Sequence, residues 1–150
     1  MERKFKIWRE NSNRKEFKSY SIKLENGMVV LDALHRIQVE HANDLAVRWN
    51  CKAGKCGSCS MEINGKPKLA CMTRLGDYAN NEQITIQPLK TFPVIKDLVT
   101  DVSWNYKQNK MISPFNSGKK QKGKNFVMYQ QDVERIQEFR KCIECYLCQD

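Results

Sequence analysis

Apolar and polar residues alternate strictly in two stretches near the start of the chain. In Lys4-Phe5-Lys6-Ile7-Trp8-Arg9, Phe5 and Ile7 share one face. In Tyr20-Ser21-Ile22-Lys23-Leu24-Glu25, Tyr20, Ile22 and Leu24 share another. A period of two predicts half-buried antiparallel strands. The polar run Glu10 to Lys15 reads as the turn between them, and Asn26-Gly27 closes the second. Val30, Ala33, Leu34 and Ile37 then fall at helical spacing, which predicts a helix over Val30 to Ala42.

Ser60 to Cys71 reads as a hairpin. Asn64-Gly65 is a strong signal for a type I′ turn, with Met61 and Ile63 on one arm and Leu69 and Cys71 on the other. Ile84-Thr85-Ile86 is a last short strand before Pro88. After Pro93 the period lengthens. Ile95, Leu98, Val102 and Tyr106 make one helical stripe, and Val133, Ile136 and Phe139 make a second that leads into Cys142. Residues 113–125 read as a polar loop. The pattern is α+β, with a boundary near residue 93 and no internal repeat.

Composition narrows the class. With 41% hydrophobic and 29% charged residues over 150 positions, the chain is globular, large enough for one or two small domains. Short apolar runs such as Val29-Val30-Leu31 fall far below the ~20 residues a spanning helix needs. No apolar segment follows Met1 to Phe5, so no signal peptide is expected. The formal charge of +9 is spread over both halves. It permits an acidic partner, an anionic membrane surface or nucleic acid and selects none of them.

The seven cysteines change the picture more. Tight, regular cysteine spacing without a signal sequence favours metal or redox chemistry over a disulfide framework. Cys51-Lys-Ala-Gly-Lys-Cys56-Gly-Ser-Cys59, with Cys71 downstream, is C-x4-C-x2-C…C, the plant-type [2Fe–2S] spacing. Three of the four ligands lie in one short loop. A chain can wrap a compact cluster so closely only with some residues at positive φ, which Gly54 and Gly57 supply. The hairpin returns Cys71 beside the loop. A zinc site and unligated or redox-active thiols remain open alternatives, although zinc sites usually pair C-x2-C with C-x2-C.

Cys142-Ile-Glu-Cys145-Tyr-Leu-Cys148 opens the bacterial-ferredoxin run for a [4Fe–4S] cluster. It supplies three of the four thiolates required. A cysteine-rich helix end or half a zinc site is the plainer alternative.

Together these residues resemble the iron–sulfur subunit of succinate dehydrogenase and fumarate reductase (respiratory complex II). The resemblance runs through Arg48-Trp-Asn-Cys51 to Cys59, Met61-Glu-Ile-Asn-Gly65, Leu69-Ala-Cys71, Gln87-Pro-Leu-Lys, Val94-Ile-Lys-Asp-Leu-Val99 and Cys142-Ile-Glu-Cys145. It implies an N-terminal β-grasp, plant-type ferredoxin-like domain over 1–93. The start of an α-helical, bacterial-ferredoxin-like domain would follow over 94–150, apparently truncated. Cys51, Cys56, Cys59 and Cys71 would hold [2Fe–2S], and Cys142, Cys145 and Cys148 part of a [4Fe–4S] set. The remaining ligand and those of a [3Fe–4S] cluster would lie beyond residue 150.

The resemblance also implies partners: a FAD-containing flavoprotein subunit, membrane anchor subunits and quinone, without nucleic acid. The complex would sit peripherally on the cytoplasmic side of the inner or plasma membrane. This chain would carry electrons, and the dicarboxylate chemistry would belong to the flavoprotein. Many members have glycine where this chain has Tyr146. A free-standing ferredoxin and the iron–sulfur module of a molybdenum hydroxylase are competing readings, as is a zinc-binding interaction module. Plant-type soluble carriers are usually acidic, and the hydroxylase module lacks the C-x2-C-x2-C run.

The other polar features carry weaker expectations. Lys119, Lys120, Lys122 and Lys124 read as a solvated loop, with lipid or partner contact as the functional alternative. Arg48, Lys52 and Lys55 flank the first cysteines, where positive charge favours a reduced cluster unless screened. His35 and His41 are expected as ordinary helix residues. Trp8, Trp49 and Trp104 are expected in core or interface, with Trp49 a candidate shield for the loop. No catalytic triad, acid/base carboxylate pair or phosphate-binding loop is present.

Overall fold

The computed structural model describes residues 2–114, 123 and 128–150. Two long strands, β1 (Glu2–Asn11) and β2 (Arg14–Lys23), form an antiparallel pair with Phe5 opposite Tyr20 and Trp8 opposite Phe17. Helix α1 follows over Val30–Glu40. The hairpin is β3 (Ser60–Ile63) and β4 (Lys66–Leu69). Asn64 and Gly65 both have positive φ, 50° and 71°, as a type I′ turn requires. Strand β5 (Ile84–Gln87) lies parallel to β1 and antiparallel to β3, giving the sheet order β2-β1-β5-β3-β4. This mixed sheet with a helix packed against it is a ferredoxin-like β-grasp.

The core follows from the alternation. Phe5, Ile7, Ile63, Ile84 and Ile86 are fully buried and pack with Val30, Ala33, Leu34 and Ile37 of α1. The Asp32 carboxylate accepts the Val29 N–H at 3.0 Å and satisfies one donor at the helix start. The buried face of β1 also carries two arginines, Arg3 and Arg9, in step with Phe5 and Ile7. Arg3 donates there to the carbonyls of Leu75, Tyr78 and Ala79, which offsets the cost of burying its polar head.

The expected stripe Ile95, Leu98, Val102 and Tyr106 is not one helix. Residues 94–100 form two short strands, β6 (Val94–Lys96) and β7 (Val99–Thr100), and a helix begins only at α2 (Ser103–Met111). The reason is Asp97, which is 2% exposed with φ 48°, a backbone state no helix contains. Its carboxylate accepts Arg9 Nε at 3.1 Å, the Glu10 N–H at 2.9 Å and the Ala46 N–H at 2.8 Å. These partners lie far along the chain and outweigh the local period.

Compact units divide the chain as Met1–Val102 with Ile143–Asp150, and Ser103–Cys142. Residues 94–102 thus stay with the first unit, past the expected boundary near 93. The second unit contains α2 and α3 (Gln130–Arg140). Helix α3 carries the expected stripe of Val133, Ile136 and Phe139, but none of its residues is buried, and Phe139 is largely exposed. The lysines at 119, 120, 122 and 124 lie outside the described residues.

Candidate iron–sulfur site

Cys51, Cys56 and Cys59 lie on the loop between α1 and β3, and Cys71 follows β4. The loop turns through three residues of positive φ: Lys52 (56°), Gly54 (65°) and Gly57 (69°). The two glycines were legible in the sequence; Lys52 carried no such signal. Both glycines are also held by close neighbours. A Cβ on Gly54 would meet Met72 Cγ and Sδ at 2.9 Å, and one on Gly57 would meet the Cys145 Cα at 2.6 Å.

The turns aim main-chain donors at sulfur. The N–H groups of Ala53 and Lys55 both reach Cys51 Sγ at 3.3 Å, and the Cys71 N–H reaches Cys59 Sγ at 3.4 Å. The thiols sort into two interacting pairs, Cys51 with Cys56 and Cys59 with Cys71. The pairs sit in different surroundings. Cys56 is pulled down to about 6, first by the Ser58 hydroxyl and then by main-chain N–H groups. Cys59 is pushed up to about 11, chiefly by burial. Binding to metal deprotonates thiols and offsets the burial cost at Cys59.

Among the described residues, no three Cys, His, Asp or Glu side chains converge as a single-ion site needs. Two thiol pairs, by contrast, suit a group with two irons and four thiolates. N–H donors aimed at sulfur stabilise the charge such a group carries. The donor set therefore fits [2Fe–2S].

The neighbouring side chains are less simply disposed than expected. Trp49 is 45% exposed. Lys52 Nζ lies 4.6 Å above its ring, and the His35 ring meets its edge at 4.8 Å. His35 Nε2 is buried without a hydrogen-bond partner, and burial, then Lys52, keeps the ring neutral to lower pH than usual. His41 is exposed, with Nε2 3.0 Å from the Ser21 carbonyl. Arg48 donates to the Thr100 carbonyl at 3.1 Å and thereby ties the lead-in of the loop to β7. Trp8 donates to Glu10, and Trp104 is exposed.

The second cysteine group is divided. Cys142 is exposed just past α3, in the second unit. Cys145 is half-buried and Cys148 exposed, both in the first unit. Sequence reasoning missed that Cys145 sits against Gly57, because no local pattern encodes a contact between segments so far apart.

Residues 4–107 match the family model described as "2Fe-2S iron-sulfur cluster binding domain". The chain is 36% identical over 135 residues to the fumarate reductase iron-sulfur subunit of Mycobacterium tuberculosis, covering 88% of this chain and 54% of that protein. It is 34% identical over 143 residues to the fumarate reductase iron-sulfur subunit of Haemophilus influenzae, covering 87% and 55%. A chain of the Mycobacterium smegmatis Sdh1 complex in the apo form superimposes with a TM-score of 0.92 at 52% identity, covering 99% of this chain and 62% of that one. The chain thus spans a little over half the length of these relatives and resembles their N-terminal portion.

Proposed function

The chain belongs to the 2Fe-2S iron–sulfur cluster binding domain family, and from that premise we propose that it is the N-terminal part of a complex II electron-transfer subunit. It would pass electrons between a FAD-containing flavoprotein, where succinate and fumarate interconvert, and membrane quinone. The likeness to two fumarate reductase iron-sulfur subunits and to the Sdh1 chain supports this reading over a free-standing ferredoxin or a molybdenum hydroxylase module.

The observation that carries it is the pairing of four thiols with main-chain donors on sulfur. Cys51, Cys56, Cys59 and Cys71 are the proposed holders of [2Fe–2S]. That group supplies one-electron storage without bond making to a substrate. The chain's own residues enclose it, donate to its sulfur ligands and fix its place. Cys142, Cys145 and Cys148 are proposed as part of a [4Fe–4S] set, completed together with a [3Fe–4S] set by later residues of the full-length subunit. No residue of this chain is assigned a catalytic role on dicarboxylate.

No helix among the described residues is long and apolar enough to cross a membrane. The subunit is proposed to lie peripherally on the cytoplasmic side, held by anchor subunits and making no use of nucleic acid. The test is anaerobic reconstitution of single variants, read by visible absorbance. Cys59→Ser and Cys71→Ser should lose the iron–sulfur bands, whereas His35→Ala should keep them. Full bands in the cysteine variants would overturn the ligand assignment.

A further inference from the structure

The segment Ile143–Asp150 lies on the first cysteine loop through contacts of three kinds. Gly57 has no side chain where one would strike Cys145: a Cβ there would stand 2.6 Å from the Cys145 Cα and 2.9 Å from its N and Cβ. Ser60 Oγ stands 2.7 Å from the Cys145 carbonyl and 2.7 Å from the Gly57 carbonyl. A hydroxyl has one proton, so it donates to one of these at a time and holds the two main chains to a common point. Farther out, Thr91 Oγ1 donates to the Gln149 carbonyl at 2.8 Å, the Thr91 N–H donates to Asp150 at 3.0 Å, and the rings of Phe92 and Tyr146 stand 5.9 Å apart.

The main chain is bent to make this fit. Glu144 and Tyr146, on either side of Cys145, have φ of 54° and 60°. Neither is glycine, and both take a left-handed backbone state that L side chains rarely adopt. Two such residues bracketing one cysteine persist only where surrounding contacts over-determine them.

We propose that Gly57 and Ser60 are positioning residues that seat Cys145 on the first cysteine loop. The seat fixes where Cys145 stands relative to the first cysteine loop, and it rests on the reading that Cys51, Cys56, Cys59 and Cys71 would hold an iron–sulfur cluster there. Gly57 thus has two reasons to be glycine, its positive φ and the space that Cys145 occupies. The atoms nearest a Cβ on Gly54 belong to the flexible Met72 side chain and not to main chain.

Amide NMR on the full chain tests the seat in two arms. In protein loaded with about two irons per chain and then reduced with dithionite, the Cys145 and Tyr146 amides should relax faster than in the metal-free protein, because the reduced two-iron group is paramagnetic and lies close. Sharp, unshifted amides in reduced protein that showed the [2Fe–2S] absorbance before reduction would overturn the seat. Absence of that absorbance would instead count against the proposed function. The second arm needs no cluster. In Ser60→Ala, hydrogen exchange of the protected amides of residues 143–150 should quicken about fivefold, as expected for one lost hydrogen bond. In Gly57→Ala the exchange should quicken further, because the added Cβ evicts the segment. Unchanged exchange in Ser60→Ala would refute the positioning role, even if Gly57→Ala failed to fold.

Discussion

Replacing Asp97 by alanine should destabilise the first unit more than any change on its surface. The side chain is buried and serves three donors: Arg9 Nε, the Glu10 N–H and the Ala46 N–H. Breaking a buried ion pair from one side typically costs about 3–5 kcal/mol. Arg9 keeps two partners, Asp44 at 2.6 Å and Tyr20 at 2.7 Å, so its charge is not stranded. That places the ion-pair loss near the lower bound, about 3 kcal/mol. The two orphaned main-chain donors belong to the same network and add less than their separate values. Alanine must also hold φ 48°, which aspartate and asparagine tolerate better.

Asparagine at this position keeps the backbone preference and one acceptor oxygen, so Asp97→Asn should cost roughly half as much. Urea unfolding of the metal-free chain reads both variants. At a slope of about 1–3 kcal/mol per molar, Asp97→Ala should move the midpoint down by about 1 M or more. Because Ala46 leads into the first cysteine loop, cluster retention should fall in the same order. Equal stability of Asp97→Ala and the parent chain would show that this carboxylate does not fasten residues 94–100.

Two further outcomes follow from the geometry. Glu10 is held below the usual carboxylate range, first by Lys15 and then by Trp8. Its contribution is present above the ordinary carboxylate pKa of about 4.3 and is lost as pH falls through its lowered folded value. Glu10→Gln should therefore cost on the order of half a kcal/mol at neutral pH, with the deficit closing as pH falls below the ordinary carboxylate range; a deficit that grows on acidification would contradict it. Tyr146→Gly should be more stable than Tyr146→Ala by roughly 1–2 kcal/mol, because both remove the side chain and only glycine relieves the left-handed backbone strain. Equal melting temperatures for the two variants would contradict it.

The parts of the fold visible in the sequence are those with local causes. Alternation at Phe5 and Ile7 gives β1 its buried face, and Asn64-Gly65 closes the hairpin that returns Cys71. The C-x4-C-x2-C spacing marks the first loop and its two glycines. Residues 94–100 mislead because a short apolar run satisfies both periods. The deciding feature, a buried aspartate, is visible only once Arg9 and Ala46 are beside it. Arg3 and Arg9 share the parity of Phe5 and Ile7, a signal that was there to use. The seat of Cys145 had no local trace, and Glu144 and Tyr146 take positive φ there without being glycine.

Anaerobic EPR with iron and sulfide quantitation on the reconstituted chain, before and after dithionite, decides whether Cys51, Cys56, Cys59 and Cys71 hold the proposed two-iron cluster. The expected outcome is silence when oxidised, a rhombic signal on reduction, and about two irons and two sulfides at this site. Zinc bound in place of iron, with no signal after repeated reconstitution, would rule the two-iron assignment out.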